Sequence, residues 1–245
     1  MNIKTCIRNA KYYYGILINK LIIVCYNVDW LKYLKFYLIN AKTDRPVIWV
    51  RTELVRFFVP NKHLEEIFSP HKVTKSKLPS FIFNGNWDKK KLSIDEYYHI
   101  YNRGYRTIYQ MFVDKIDFYK TDEYKYHLSK INDGEKSPRG KTIDDLNAYF
   151  ESLIRLENLL KNNGYKSQKV LKGKKKDEIG VFIGRNGEII KAEDNFSGTH
   201  RFALAKLHNI PMIPVHVLAI HKRWAINNIH LFGKNSVTNL EKYFQ

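Results

Sequence analysis

Ile179-Gly180-Val181-Phe182-Ile183-Gly184-Arg185-Asn186-Gly187-Glu188-Ile189-Ile190-Lys191-Ala192 reads as two strands around a turn. Residues 179–184 are an unbroken small and aliphatic run, the pattern of a buried strand. Asn186 and Gly187 both tolerate positive φ, which predicts a two-residue hairpin turn. Residues 188–192 return as the second strand. The chain then turns through Glu193-Asp194-Asn195-Phe196-Ser197-Gly198. A helix is expected from Thr199 to Leu207, stopped by Asn209 and Pro211. Residues 213–220 follow as a third strand, with Pro214 near its start, where a missing N–H is tolerated.

The order is hairpin, tight loop, helix, strand. Ser197, Gly198 and Thr199 are small, so a ligand can approach the backbone there. The first N–H groups of a helix lack intrahelical acceptors, and the helix dipole favours an anion at that end. His200 and Arg201 add donors in the first turn, and Arg201 can grip two phosphate oxygens at once. The same residues also suit a plain helix start, with Ser197 or Thr199 as N-cap, His200 half-buried and Arg201 on the surface. A cation in the first turn opposes the dipole, however, so His200 and Arg201 call for an anionic partner. A bound anion would supply it, and so would Glu193 or Asp194.

The run Asn195-Phe196-Ser197-Gly198-Thr199-His200-Arg201-Phe202-Ala203-Leu204-Ala205 resembles the phosphate-binding segment of the ParB/sulfiredoxin-like fold. The resemblance spans roughly residues 165–224 and is most specific at the Gly-x-His-Arg core. It implies that Ser197, Gly198, Thr199, His200 and Arg201 bind the phosphates of ATP or another nucleoside triphosphate, with Mg²⁺. Sulfiredoxins carry a cysteine where this chain has Thr199, so thiol chemistry is not expected. Related serine kinases use a carboxylate as general base. Glu193 and Asp194 are the candidates here, with Asp88 and Glu188 behind them. Residues 85–88, 164–168 and 221–224 resemble segments of ParB-like proteins associated with surface-polysaccharide genes, and His221 and Arg223 are added as further nucleotide-binding candidates. Buried Trp residues at element ends would also account for two of those segments.

Thr142 upstream opens a strong helix, with Asp145 completing a capping box and Gly164 closing it after Lys161. Residues 93–113 also look helical. Residues 129–141, with Gly134, Pro138 and Gly140, read as a loop. Lys172-Gly173-Lys174-Lys175-Lys176 is a solvated loop that could also close over a phosphate. Residues 46–50 and 54–59 are β-branched and aromatic, hence two strands, or one strand and a short edge. Residues 60–80 are a connection, and residues 81–83 a short strand. The fold class expected is α+β, divided as 1–80, a basic aromatic-rich region; 81–164, mostly helical; and 165–245, the nucleotide-binding unit.

The chain has 245 residues and a net charge of +18, from 42 basic and 24 acidic side chains. A/T-rich codon drift toward Lys explains part of this excess. The rest points to anionic partners. Cys6 and Cys25 are too few for a disulfide scaffold, and with no CxxC motif a zinc site is not expected. A cytoplasmic setting follows. Residues 12–28 are interrupted by Asn19, Lys20 and Asn27, so no membrane span is expected. Residues 30–39 mix Lys with aromatic and aliphatic side chains. They suit a core-packed helix, or one lying on an anionic membrane.

Three functions follow from these readings. The first is a kinase-like phosphotransferase acting on a small hydroxylated acceptor. The second is a basic nucleic-acid-binding protein, although too few residues follow position 224 for a helix-turn-helix. The third is a peripheral membrane protein of cell-envelope polysaccharide metabolism.

Overall fold

The computed structural model describes residues 45–60, 81–193, 198–232 and 235–245. Cys6, Cys25, the run at 30–39, Asp194 and Ser197 lie outside them. The fold is mixed α and β, built on one sheet.

The seven strands are β1 (Val47–Arg51), β2 (Val55–Val59), β3 (Ile82–Phe83), β4 (Leu92–Ser93), β5 (Ile179–Ile183), β6 (Ile189–Ala192) and β7 (Met212–His221). Their order is β1-β7-β5-β6-β2-β4, with β3 pairing β7 beyond β1. β5 and β6 are antiparallel, whereas β5 with β7 and β6 with β2 run parallel. The sheet therefore takes strands from all three stretches of the chain distinguished by composition.

The expected hairpin is present, but its turn differs. Gly187 donates to the Gly184 carbonyl and Gly184 donates to the Glu188 carbonyl. Three residues, Arg185 to Gly187, thus form the loop, and of these only Gly187 has positive φ, at 88°. This is the type I turn with a left-handed glycine rather than the two-residue form. Gly187 is needed for a second reason, because a Cβ there would meet the Trp224 indole nitrogen at 2.8 Å.

The helices are α1 (His99–Tyr101), α2 (Arg103–Phe112), α3 (Asp122–Asn132), α4 (Ile143–Asn163), α5 (Thr199–Leu207), α6 (Lys222–Asn227) and α7 (Ser236–Phe244). The helical stretch expected over 93–113 is divided into segments. Ile94–Tyr98 winds as a π-turn, and Asn102 is extended at φ −116°, ψ 109°. Asn102 is fully buried, and its side chain caps α2 by accepting from the Tyr105 N–H. The loop expected at 129–141 is shorter, because α3 runs on to Asn132. The Thr142 capping box and the Gly164 cap at the end of α4, at positive φ of 67°, are both present.

Every residue of β5 and β6 is buried, as expected for strands covered on both faces. One face carries Val181, Ile183 and Ile189 under Phe202 of α5, Phe150 of α4 and Ile108 of α2. The other carries Phe182, Ile190, Ala192 and Leu218 under Trp87. Alternation along β5 therefore serves two separate cores, which is why its sequence shows no polar positions.

Candidate functional site

Helix α5 starts where expected. Its N-cap is Gly198, left-handed at φ 94°, with no side-chain cap and no acidic residue in the first turn. Gly198 also lies against the sheet, since a Cβ there would meet the Ile179 Cα at 2.7 Å. The small side chain expected to admit a ligand is thus required first by packing on β5. In the hairpin, Val181 pairs with Lys191. Extending that register brings Glu193 across from Ile179, so β6 leaves the sheet beside the start of α5. Lys191 is fully buried and donates to the Ala192 carbonyl. Cross-strand neighbours share a face, so Lys191 lies with Val181 on the helix-covered side. Glu193 is also buried, as is Thr199, at 8% exposure.

The next two residues turn away from the helix end. His200 Nε2 lies 2.8 Å from Glu123 Oε2, and His200 Nδ1 lies 3.1 Å from the Tyr149 hydroxyl. Glu123 is buried on α3 and takes Arg139 at 3.0 Å on its other oxygen. His127, one turn along α3, stands 3.9 Å from the same carboxylate and contacts Ser137 through Nδ1. Burial would push the Glu123 carboxyl up. His200, with help from Arg139 and His127, outweighs it and holds Glu123 at about 2. Burial lowers His127 to about 4 despite the nearby carboxylate. Gly104 completes the enclosure, because a Cβ there would meet His200 Nε2 at 3.0 Å.

Arg201 points the other way. It donates to the Asp177 carbonyl and lies 4.0 Å from Glu178 Oε2. Tyr165 is buried beside it. The Glu178 carboxyl is raised by burial, and its other oxygen accepts from the Gln168 N–H at 2.5 Å. The anionic partners demanded by the two first-turn cations are therefore Glu123 and Glu178, 77 and 23 residues earlier in the chain. His200 is taken up by Glu123 and Tyr149, and Arg201 Nη2 by the Asp177 carbonyl, whereas the buried Arg201 Nη1 has no hydrogen-bond partner among the described residues. What α5 offers an anion is its backbone N–H groups, the Thr199 hydroxyl and that Nη1.

His221 and Arg223 are not beside this helix start. Val215 of β7 pairs with Ile179, and Ile220 pairs with Ile183. His221 is six residues past Val215, about 20 Å along the strand. It stands at the hairpin-turn end of the sheet. There its Nε2 donates to the Gly85 carbonyl at 3.0 Å and its Nδ1 accepts from the Arg223 N–H. Arg223 itself is exposed. Asp88, 1% exposed, takes Arg185 through Nε, Nη2 and the backbone N–H. Burial raises the Asp88 carboxyl, but these hydrogen bonds outweigh it and hold it below its ordinary value. Glu188 is paired with Lys91 at 3.0 Å. Asp88 and Glu188 thus lock the turn, and they are remote from α5's start.

Residues 85–88 and 221–224 meet at this end. Trp87 and Trp224 are each 2% exposed and serve the core. Sequence reading did not single out Glu123, Tyr149, Arg139 or Lys191. A fully buried lysine in an otherwise aliphatic strand was the one local signal available. Among the described residues no helix is long and apolar enough to cross a membrane, and no three His, Cys, Asp or Glu side chains stand together as a metal site. A groove of ≈ 580 Å³ lies at the far end of α5 beside Lys206, Arg51 and Arg56. Comparison with family models, with characterised proteins and with solved structures finds no match for this chain.

Proposed function

We propose that this protein binds the phosphate chain of a nucleoside triphosphate at the start of α5 and transfers a phosphoryl group to a small hydroxylated acceptor. The observation that carries this reading is a convergence at one point. An uncapped, left-handed helix start at Gly198 stands where β6 delivers the buried Lys191 and Glu193. Backbone N–H groups at a helix start attract phosphate oxygens. Thr199 adds a hydroxyl donor. Glu193 takes the acceptor's proton as the acceptor oxygen bonds to the terminal phosphorus and the bridging P–O bond breaks, releasing the diphosphate. His200 and Arg201 hold the helix end in place through Glu123 and Glu178.

Mg²⁺ is commonly held by one or two carboxylates together with substrate phosphates. Glu193 is the described carboxylate beside the helix start, which fits an ion carried in by the nucleotide and held mainly by its phosphates. Its chemistry would be neutralisation of phosphate charge.

Calorimetric titration with Mg-ATP, Mg-GTP and Mg-CTP tests the reading. Saturable binding of one of them is expected. Glu193→Gln should keep that binding and lose turnover, whereas Thr199→Val should weaken both. If none of the three nucleotides binds at millimolar concentration, the reading is wrong.

A further inference from the structure

The loop between α4 and β5 is built unlike a solvated connection. Val170 is 67% exposed and Leu171 is 56% exposed, although both are aliphatic. Around them lie the exposed Lys166, Lys169, Lys172, Lys174 and Lys176, and no acidic residue occurs from 164 to 176. Codon drift adds lysine to surfaces, but it does not place two aliphatic side chains at the tip of a loop.

The tip is also ordered. The Val170 and Leu171 N–H groups both donate to the Ser167 carbonyl, at 3.0 and 3.1 Å. Gly173 donates back to the Gln168 carbonyl at 2.8 Å, across a left-handed Lys172 at φ 54°. Gln168 is pinned in turn through its N–H to the buried Glu178 carboxylate. A Cβ on Gly173 would collide with the Gln168 side chain, at 2.1 Å from its Oε1. The turn therefore holds Val170 and Leu171 outward, and docking them costs little conformational entropy.

We infer that residues 166–176 form a docking surface for an anionic lipid bilayer, with Val170 and Leu171 entering the headgroup–acyl boundary and the lysines meeting the headgroups. Aliphatic tips flanked by lysine match the two requirements of interfacial binding, apolar burial and attraction to anionic lipid. Nucleic acid matches only one of them. The tip carries no aromatic ring or Arg to stack on bases, and phosphate contacts alone would leave Val170 and Leu171 in water. The surface is independent of the nucleotide reading, because none of its residues belongs to the start of α5.

Flotation of the full chain with phosphatidylcholine vesicles, with and without phosphatidylserine, tests the inference. Binding is expected only where phosphatidylserine is present. Val170→Ser/Leu171→Ser should lower partitioning at least about tenfold. Lys172→Ser/Lys174→Ser should lower it about fivefold per lysine. All four side chains are exposed, so both variants should keep the parent's melting temperature. Failure to float with either vesicle overturns the inference, as does flotation that the serine tip leaves unchanged. Retention of a duplex oligonucleotide that the lysine variant weakens and the tip variant does not, without lipid binding, gives the loop to nucleic acid and overturns it too.

Discussion

The two ends of β5 carry buried carboxylates of similar burial but different partnership. At the hairpin turn Asp88 has a dedicated guanidinium, Arg185, whose charge does not change over the accessible pH range. At the start of α5 Glu123 is shared between His200 and Arg139, with His127 close by. The first arrangement fixes a loop permanently. The second ties α3, α4 and α5 together through a cluster that changes charge in acid, His127 at about 4 and Glu123 at about 2. One end of the sheet is a lock, and the other is a lock that responds to protons.

Removing a carboxylate breaks this comparison most directly. Asp88→Ala should cost about 2–4 kcal/mol in chemical unfolding, because it takes the buried carboxylate from the half-buried Arg185 guanidinium and strands the Arg185 backbone N–H. A loss below ~1 kcal/mol would mean that Arg185 escapes to solvent at no cost and that the turn is not locked by charge.

The glycines at the two ends differ in what they face. Gly198→Ala puts a methyl on the Ile179 backbone at positive φ and should cost at least about 2 kcal/mol. Gly187→Ala meets the Trp224 side chain rather than backbone, so its melting temperature should fall less. Equal losses would show that φ alone decides both.

Glu123→Gln should cost about 1–3 kcal/mol, since Gln keeps an oxygen facing His200 but loses the charge shared with Arg139. Its main signature is in pH. The Glu123 carboxyl falls from 4.5 to about 2 on folding, so its contribution is present above pH 4.5 and is lost as pH falls through about 2. His127 falls from 6.5 to about 4, so its contribution is full above pH 6.5 and is lost as pH falls through about 4. Urea midpoints should therefore drop from pH 6.5 downward. His127→Gln should flatten the upper part of that drop, and Glu123→Gln the lower part. Asp88→Ala should leave the upper part unchanged. A pH profile of the parent that is flat between 6.5 and 4 would remove the titratable half of the comparison.

The smallest effect should come from Thr142→Ala, which takes one capping interaction from the helix that carries Tyr149. About 1 kcal/mol is expected, read from hydrogen exchange at the first turn of α4. A larger loss would show that α4's position, and with it the Tyr149–His200 contact, depends on that cap.

Local patterns in the sequence determined a good deal. The hairpin, the start of α5 at Thr199, the long β7, and the Thr142 and Gly164 boundaries all follow from turn chemistry, capping and the length of apolar runs, which act within a few residues. Helix α3 was not legible, because its apolar face is narrow and its buried positions include Glu123 and His127, polar residues that only a folded partner makes buriable. The break at Asn102 was hidden for the same reason, as its cap is a buried side chain. Tertiary structure alone decided where the two first-turn cations go. His200 and Arg201 read locally as a pair in search of one anion. The fold sends them to Glu123 and Glu178, on opposite sides of α5, because burying a charge requires a partner and the chain could supply one only from distant segments.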